Sequence, residues 1–186
     1  DEEEANRLID PVAAVLKERL GDAVYGEGET DLETVVAEQL LQKQLTLAVA
    51  ESCTGGMIAS NLVEYPGISA ALVEGCVTYS NEAKMHRLGV KAETLEKYGA
   101  VSEETAKEMA EGIARTSGAD IGLATTGVAG PESSEGKPVG LVYIAIAYQG
   151  KTEVYTCHFV GKRNKIRERA AYTALNRLRK VINDEA

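Results

Sequence analysis

An α/β fold is predicted for this 186-residue chain: a three-layer α/β/α sandwich around a mixed, partly parallel sheet. Three observations carry that expectation. Short apolar runs rich in β-formers alternate with segments of helical apolar spacing, the order that builds a sheet covered by helices. A hairpin pattern and a long helical pattern then close the chain. Two of the apolar runs end in small-residue loops, ESCTGG at 51–56 and TTGVAGP at 125–131. In sheets of this kind, ligands bind in the crevice at the carboxyl ends of strands.

The elements follow in order. Leu8, Ile9, Val12, Val15, Leu16 and Leu20 recur near helical spacing over residues 3–20, with Pro11 marking either a kink or a helix start capped by Asp10. Residues 21–31 (GDAVYGEGETD) read as a turn-rich connector. Thr30 or Asp31 then caps a helix to about Lys43, with Leu32, Val35, Val36, Leu40 and Leu41 on its apolar side. These first 44 residues form a helical extension or linker, and residues 45–186 form the main domain. Within that domain LTLAVAE (45–51) reads as a buried strand, and residues 54–63 as a helix. ALVEGCVTYS (71–80) is β-rich, and short helices follow at 81–88 and 92–99. Ser102 caps a helix over 102–118, with acids in its first turn; Thr105 stands where a full capping box wants Glu or Gln. A strand ends at TTGVAGP, a polar loop spans 131–138, a hairpin turns at Gln149-Gly150-Lys151, and residues 162–182 form the last helix.

Composition narrows the function. The apolar fraction of 44% and charged fraction of 26% are those of an ordinary globular protein. A net charge of −9 argues against a nucleic-acid partner, which usually meets a basic face. The acidic opening DEEEANRL is the reverse of a basic signal leader, and no apolar run is long enough to span a bilayer, so no membrane partner is expected. Cys53, Cys76 and Cys157 are odd in number and widely spaced, which fits a reducing cytoplasm rather than a disulfide framework. Only His86 and His158 occur, and no Cys/His cluster has zinc spacing, so no metal is expected.

Several residues could carry chemistry. Ser52, at a strand-to-helix turn, is either a nucleophile beside helix N–H donors or a helix cap, with Gly55 and Gly56 relieving crowding. The loop lacks both the Walker lysine and the G-x-S-x-G elbow. Neither histidine has an acidic orienter nearby in sequence. Lys84 offers another base if partial burial lowers its pKa; otherwise it is a solvated lysine. Tyr79 is a relay hydroxyl or a core-edge aromatic. Thr125, Thr126 and Gly127 form a second wall for a ligand or an ordinary turn. Lys162, Arg163, Lys165, Arg167 and Arg169 place positive charge at a helix start, against the dipole, and suit either a phosphate or a solvated face. If strand geometry continues past Glu51, Cys53 points away from the pocket of Ser52 and packs.

Six blocks in order resemble the CinA C-terminal domain: LTLAVAESCTGG, GCVTYSNEAKMHRLGV, YGAVSEETAKEMAEG, TTGVAGP, KPVGLVYIAI and FVGKRNKIRERA. That family includes bacterial deamidases of nicotinamide mononucleotide (NMN). The resemblance implies hydrolysis of the NMN amide to nicotinic acid mononucleotide and ammonia, with neither metal nor cofactor. It implies Ser52 as nucleophile, Lys84 as base and Tyr79 in the proton relay. It further implies a substrate site of Thr54, Gly55, Gly56, Asn81, Thr126 and Gly127, with Arg163, or else Arg167, on the 5′-phosphate. A cytoplasmic homo-oligomer, a dimer or higher, is implied as well. The Gly55-Gly56 helix start would supply oxyanion donors. Two features depart from the pattern of stand-alone enzymes: the first 44 residues resemble the segment preceding this domain in full-length CinA proteins, and GVAGPESSEGKP lacks the glycine-rich run of relatives. The competing readings are a non-catalytic nucleotide-binding or oligomerisation module of a larger CinA protein, and an amidase using Cys53.

Overall fold

The structure, a computed structural model, describes residues 1–183. Five strands form one sheet: β1 (Leu47–Glu51), β2 (Leu72–Val77), β3 (Ile121–Gly127), β4 (Leu141–Tyr148) and β5 (Lys151–His158), in the order β2-β1-β3-β4-β5. β1 is parallel to both β2 and β3, whereas β3, β4 and β5 are antiparallel neighbours. From β1 the chain crosses to β2 on one side and returns to β3 on the other. That reversal opens a crevice at the carboxyl end of β1, where Glu51 lies opposite Thr125.

The two faces of the sheet differ in kind. One carries Leu47, Val49, Ile121, Leu123, Val142, Ile144 and Ile146. These pack against α2 (Leu32–Gln42), α3 (Met57–Val63) and α7 (Arg163–Asn183). The other face is nearly all alanine: Ala48, Ala50, Ala124, Ala145 and Ala147. Such a shallow surface lets a helix backbone approach closely. α6 (Glu103–Ser117) takes that place, and a Cβ built on Gly122 would stand only 2.1 Å from the Ala110 carbonyl oxygen. α5 (Ala92–Tyr98) lies beyond it, and Leu95 joins the same cluster. The three-layer architecture expected from the alternating pattern is therefore present.

Local chemistry sets the boundaries. α1 (Glu2–Leu20) begins at the chain start, where the Asp1 carboxylate accepts the Glu4 N–H at 2.9 Å. Pro11 lies inside this helix instead of starting it, and Asp10 is not its cap. Leu8, Ile9, Val12 and Leu16 of α1 stay exposed. Asp31, not Thr30, caps α2, accepting the Thr34 N–H at 2.8 Å. α2 joins the core through Val36 and Leu40, both fully buried. Ser102 caps α6, accepting the Thr105 N–H at 3.1 Å. The Thr105 hydroxyl, in the place of the missing Glu, donates to the Gly99 carbonyl at 2.8 Å and ties α6 to the end of α5. The hairpin turn is Gln149-Gly150 alone, both at positive φ as a two-residue hairpin turn prefers, and Lys151 already pairs with Tyr148. Among the described residues, no helix is long and apolar enough to cross a membrane.

Gly122→Ala should be destabilised by about 3 kcal/mol, because the new methyl meets helix backbone and not a movable side chain. Urea denaturation measures this. An unchanged midpoint would mean that α6 can back away from the sheet without loss.

Candidate active site

The turn after β1 is fastened from two sides. Ser52 still donates its N–H to the Thr125 carbonyl at 3.0 Å, so it prolongs β1 by one residue. The chain then folds back, with the Gly55 N–H on the Ser52 carbonyl at 3.1 Å. Gly55 and Gly56 have φ of +63° and +95°, a region that only glycine enters at little cost. Behind the turn lies Glu51, 1% exposed. Its carboxylate accepts the N–H groups of Gly56 at 2.9 Å, Ile58 at 3.2 Å and Ala59 at 2.9 Å, closing the start of α3. The helix-start donors expected to hold an oxyanion are thus occupied, Gly55 by Ser52 and Gly56 by Glu51. In front, the Arg167 guanidinium donates to the carbonyls of Cys53 at 3.2 Å and Thr54 at 2.9 Å. The Thr54 hydroxyl shares a 2.8 Å hydrogen bond with that of Thr125. Thr54, Gly55, Gly56 and Arg167 therefore shape the turn and do not border the cavity. The helix predicted from Thr54 begins at Met57, because residues 54–56 make this turn.

Lys84 comes from the opposite side. The Ser80 hydroxyl caps α4 (Asn81–Ala83), which runs directly into a π-helical turn at Lys84–Leu88. Such turns rotate a side chain out of the helical register, and they recur at functional sites. Lys84 is 1% exposed, and its Nζ donates to the Ser52 hydroxyl at 3.2 Å, the Thr78 carbonyl at 2.8 Å and the Tyr79 carbonyl at 3.3 Å. No carboxylate forms an ion pair with it among the described residues. Burial lowers its pKa below the ordinary lysine value, against weaker raising contributions from Cys53 and Glu135. In neutral form the amine keeps a lone pair for the Ser52 proton.

Ser52 and Lys84 face a cavity of about 330 Å³, bordered also by Tyr79, Asn81, Thr126, Gly127 and Arg163. The structure thus brings seven of the residues singled out from sequence to one place. Their contacts differ in part from expectation. The Tyr79 phenol accepts from Arg163 at 3.1 Å and only the Tyr79 carbonyl meets Lys84, so the phenol does not touch the amine. Arg163 also donates to the Gly130 carbonyl at 2.5 Å. The Thr126 hydroxyl donates to the Ala100 carbonyl at 2.7 Å. Cys53 packs in the core as expected, at 6% exposed, yet it borders the same cavity as Ser52, because strand alternation lapses beyond Glu51. Burial pushes its thiol up to about 12. Among the described residues no three His, Cys, Asp or Glu side chains gather as a metal site requires.

Two site residues escaped the sequence reading. Glu51 carried a signal: an acid at the end of an apolar strand, just before a helix, suits orphan N–H groups. Glu135 carried none. It borders the cavity from the polar loop, and its carboxylate accepts the N–H groups of Ala100 at 3.0 Å and Val101 at 3.1 Å. Burial raises its pKa, but those bonds and Lys137 outweigh it and hold the carboxyl below its usual range.

The sequence matches the CinA C-terminal domain over residues 29–182. It is 55% identical over 181 residues to a Clostridium beijerinckii protein named as competence-damage inducible, covering 97% of this chain and 44% of that protein. A Clostridioides difficile protein of the same name is 57% identical over 187 residues, covering 96% of this chain and 45% of the relative. The chain therefore spans less than half the length of these curated relatives. Among solved structures, a CinA superfamily protein from Klebsiella pneumoniae superposes with a TM-score of 0.80 at 39% identity, covering 82% of this chain and 96% of the other. An Escherichia coli member gives 0.78 at 35% identity, covering 87% and 98%.

Iodoacetamide at pH 8 should alkylate the half-buried Cys76 and Cys157 well before Cys53, which is buried and whose thiol that burial pushes up to about 12. Peptide mapping reads the order. Rapid labelling of Cys53 would place a reactive thiolate at the cavity.

Proposed function

The chain belongs to the CinA C-terminal domain family, and on that premise we propose that it is an amidohydrolase converting nicotinamide mononucleotide and water to nicotinic acid mononucleotide and ammonia. The observation that supports this reading most is the buried Lys84 amine 3.2 Å from the Ser52 hydroxyl, free of any carboxylate partner among the described residues. A serine needs a base to attack an amide, and a desolvated lysine can be neutral enough to serve.

In the proposed reaction the Ser52 Oγ adds to the amide carbon as Lys84 takes its proton. The C–N bond then breaks, and Lys84 returns that proton to the departing amide nitrogen, which leaves as ammonia. Water, deprotonated by the same amine, attacks the acyl-serine; the ester C–O bond breaks, Lys84 returns the proton to the Ser52 Oγ, and the product acid loses its own proton to solvent as the carboxylate. Cys53 borders the cavity beside Ser52, and its backbone N–H is proposed as the oxyanion donor. Arg163, at the cavity's edge, is proposed to hold the 5′-phosphate, and Asn81, Thr126 and Gly127 to shape the wall around the nucleotide. Tyr79 is proposed to orient Arg163 through its phenol. Arg167, engaged by two carbonyls, is assigned to the turn.

Ammonia release from NMN tests the proposal. Ser52→Ala and Lys84→Ala should each lower kcat at least about 10³-fold while the circular dichroism spectrum is kept. A folded wild type that binds NMN and releases no ammonia would instead favour a binding module of a larger protein.

The pH profile follows from the sign of the Lys84 shift. The neutral amine is the working form and its pKa is lowered, so kcat/KM should rise with pH through a midpoint below the ordinary lysine value of 10.5. A rising limb centred at or above that value would remove Lys84 as the base.

A further inference from the structure

We propose that Glu51 is a positioning residue for this chemistry: its buried carboxylate holds the Ser52 hydroxyl where Lys84 can deprotonate it. The proposal rests on the reading of Ser52 as nucleophile.

A carboxylate 1% exposed with no Lys or Arg ion pair among the described residues is unusual, because an unpaired buried charge is costly. Here three N–H groups of the α3 start carry the compensation. An ordinary cap sits at the helix start and reaches two or three residues ahead. Glu51 reaches five to eight residues ahead, across the turn that contains Ser52. Its bonds therefore fix that loop as well as the helix. The loop needs such a restraint, because its two glycines at positive φ have the least intrinsic preference for one conformation.

The main chain of Glu51 holds the other half of the pair. Its carbonyl accepts the Thr78 N–H at 2.9 Å, and the Thr78 carbonyl accepts Lys84 Nζ at 2.8 Å. One residue thus ties the Ser52 turn to α3 through its side chain, and the Lys84 anchor to β1 through its backbone. The carboxylate itself does not border the cavity, so it acts through Ser52 and not on substrate.

Glu51→Gln keeps the shape but leaves one acceptor oxygen for three donors and sets an amide N–H₂ against backbone N–H. Two readouts test it: NMN turnover, and the rate at which a fluorophosphonate labels Ser52, which needs no knowledge of the substrate. Asp31→Ala, which removes the α2 cap far from the cavity, controls for a general loss of stability. The expected result is a fall of about 10²-fold in both kcat and labelling rate for Glu51→Gln, with KM within about threefold of wild type and the Asp31→Ala protein at wild-type rates. If Glu51→Gln does not fold, Glu51→Asp carries the test, with slowed labelling expected at a wild-type circular dichroism spectrum. Wild-type rates in the Glu51 variant, or equal slowing in Asp31→Ala, would overturn the positioning role. Labelling of wild-type Ser52 without ammonia release, still slowed by Glu51→Gln, would retain the positioning role and reject only the substrate. Absence of both labelling and turnover in wild type would overturn both readings.

Discussion

A lysine amine buried against a serine hydroxyl is the constraint around which this molecule is arranged. An ammonium group removed from water loses hydration worth several kcal/mol, and among the described residues no carboxylate pairs with Lys84 to restore it. Two backbone carbonyls and one hydroxyl lie within hydrogen-bond reach of it. Burial favours the neutral amine, whose two N–H groups the carbonyls accept while its lone pair is left for the Ser52 hydroxyl. A carboxylate in the place of either carbonyl would hold the amine charged and unable to accept a proton. The π-turn at Lys84–Leu88 serves the same end, because it turns Lys84 inward while Leu88 still packs on α6.

The unequal faces of the sheet make this closeness possible. Bulky residues fill the α3 and α7 side. Alanine and glycine fill the other, where α6 settles onto the strands. The π-turn reaches α6 by the same device, since a Cβ on Gly112 would lie 2.0 Å from the Leu88 carbonyl oxygen. Close packing on that side draws the Lys84 segment toward the carboxyl end of β1. The Lys84 amine meets Ser52 there, within the crevice that the strand order opens.

Electrostatics at the start of α7 runs against the usual rule and is resolved by geometry. Positive charge at a helix amino end opposes the dipole. Yet Arg163, Arg167 and Arg169 all reach away from their own helix to carbonyls of other segments: Gly130, Cys53, Thr54 and Val160. Those bonds pin the loops that frame the cavity. Glu51 does the complementary task, supplying acceptors where the turn has donors. The ESCTGG turn is therefore a junction of opposite charges, and its glycines exist so that the backbone can face both.

Much of this was legible in the chain alone. Alternation of strand-like and helix-like apolar segments, the Ser102 cap, a cap at Thr30 or Asp31, and a turn at Gln149-Gly150-Lys151 marked the elements, because each depends on near neighbours. The ordered blocks around Ser52, Tyr79, Lys84, Thr126 and Arg163 marked residues that share one cavity, because they lie at strand ends and helix starts on one edge of the sheet. Only the tertiary structure decided which atoms meet. Arg163 and Arg167, four residues apart on one helix, both grip carbonyls of loops more than 30 residues away, and only Arg163 also borders the cavity. Which donors are occupied at the turn depends on Glu51, whose carboxylate meets N–H groups five to eight residues ahead only once α3 has packed beside β1. Glu135 enters the site from a polar loop with no periodic pattern, because its partners, the N–H groups of Ala100 and Val101, lie over 30 residues earlier in the chain. Local pattern specifies elements, since it acts over one or two turns; contacts between distant segments are settled only when those elements pack.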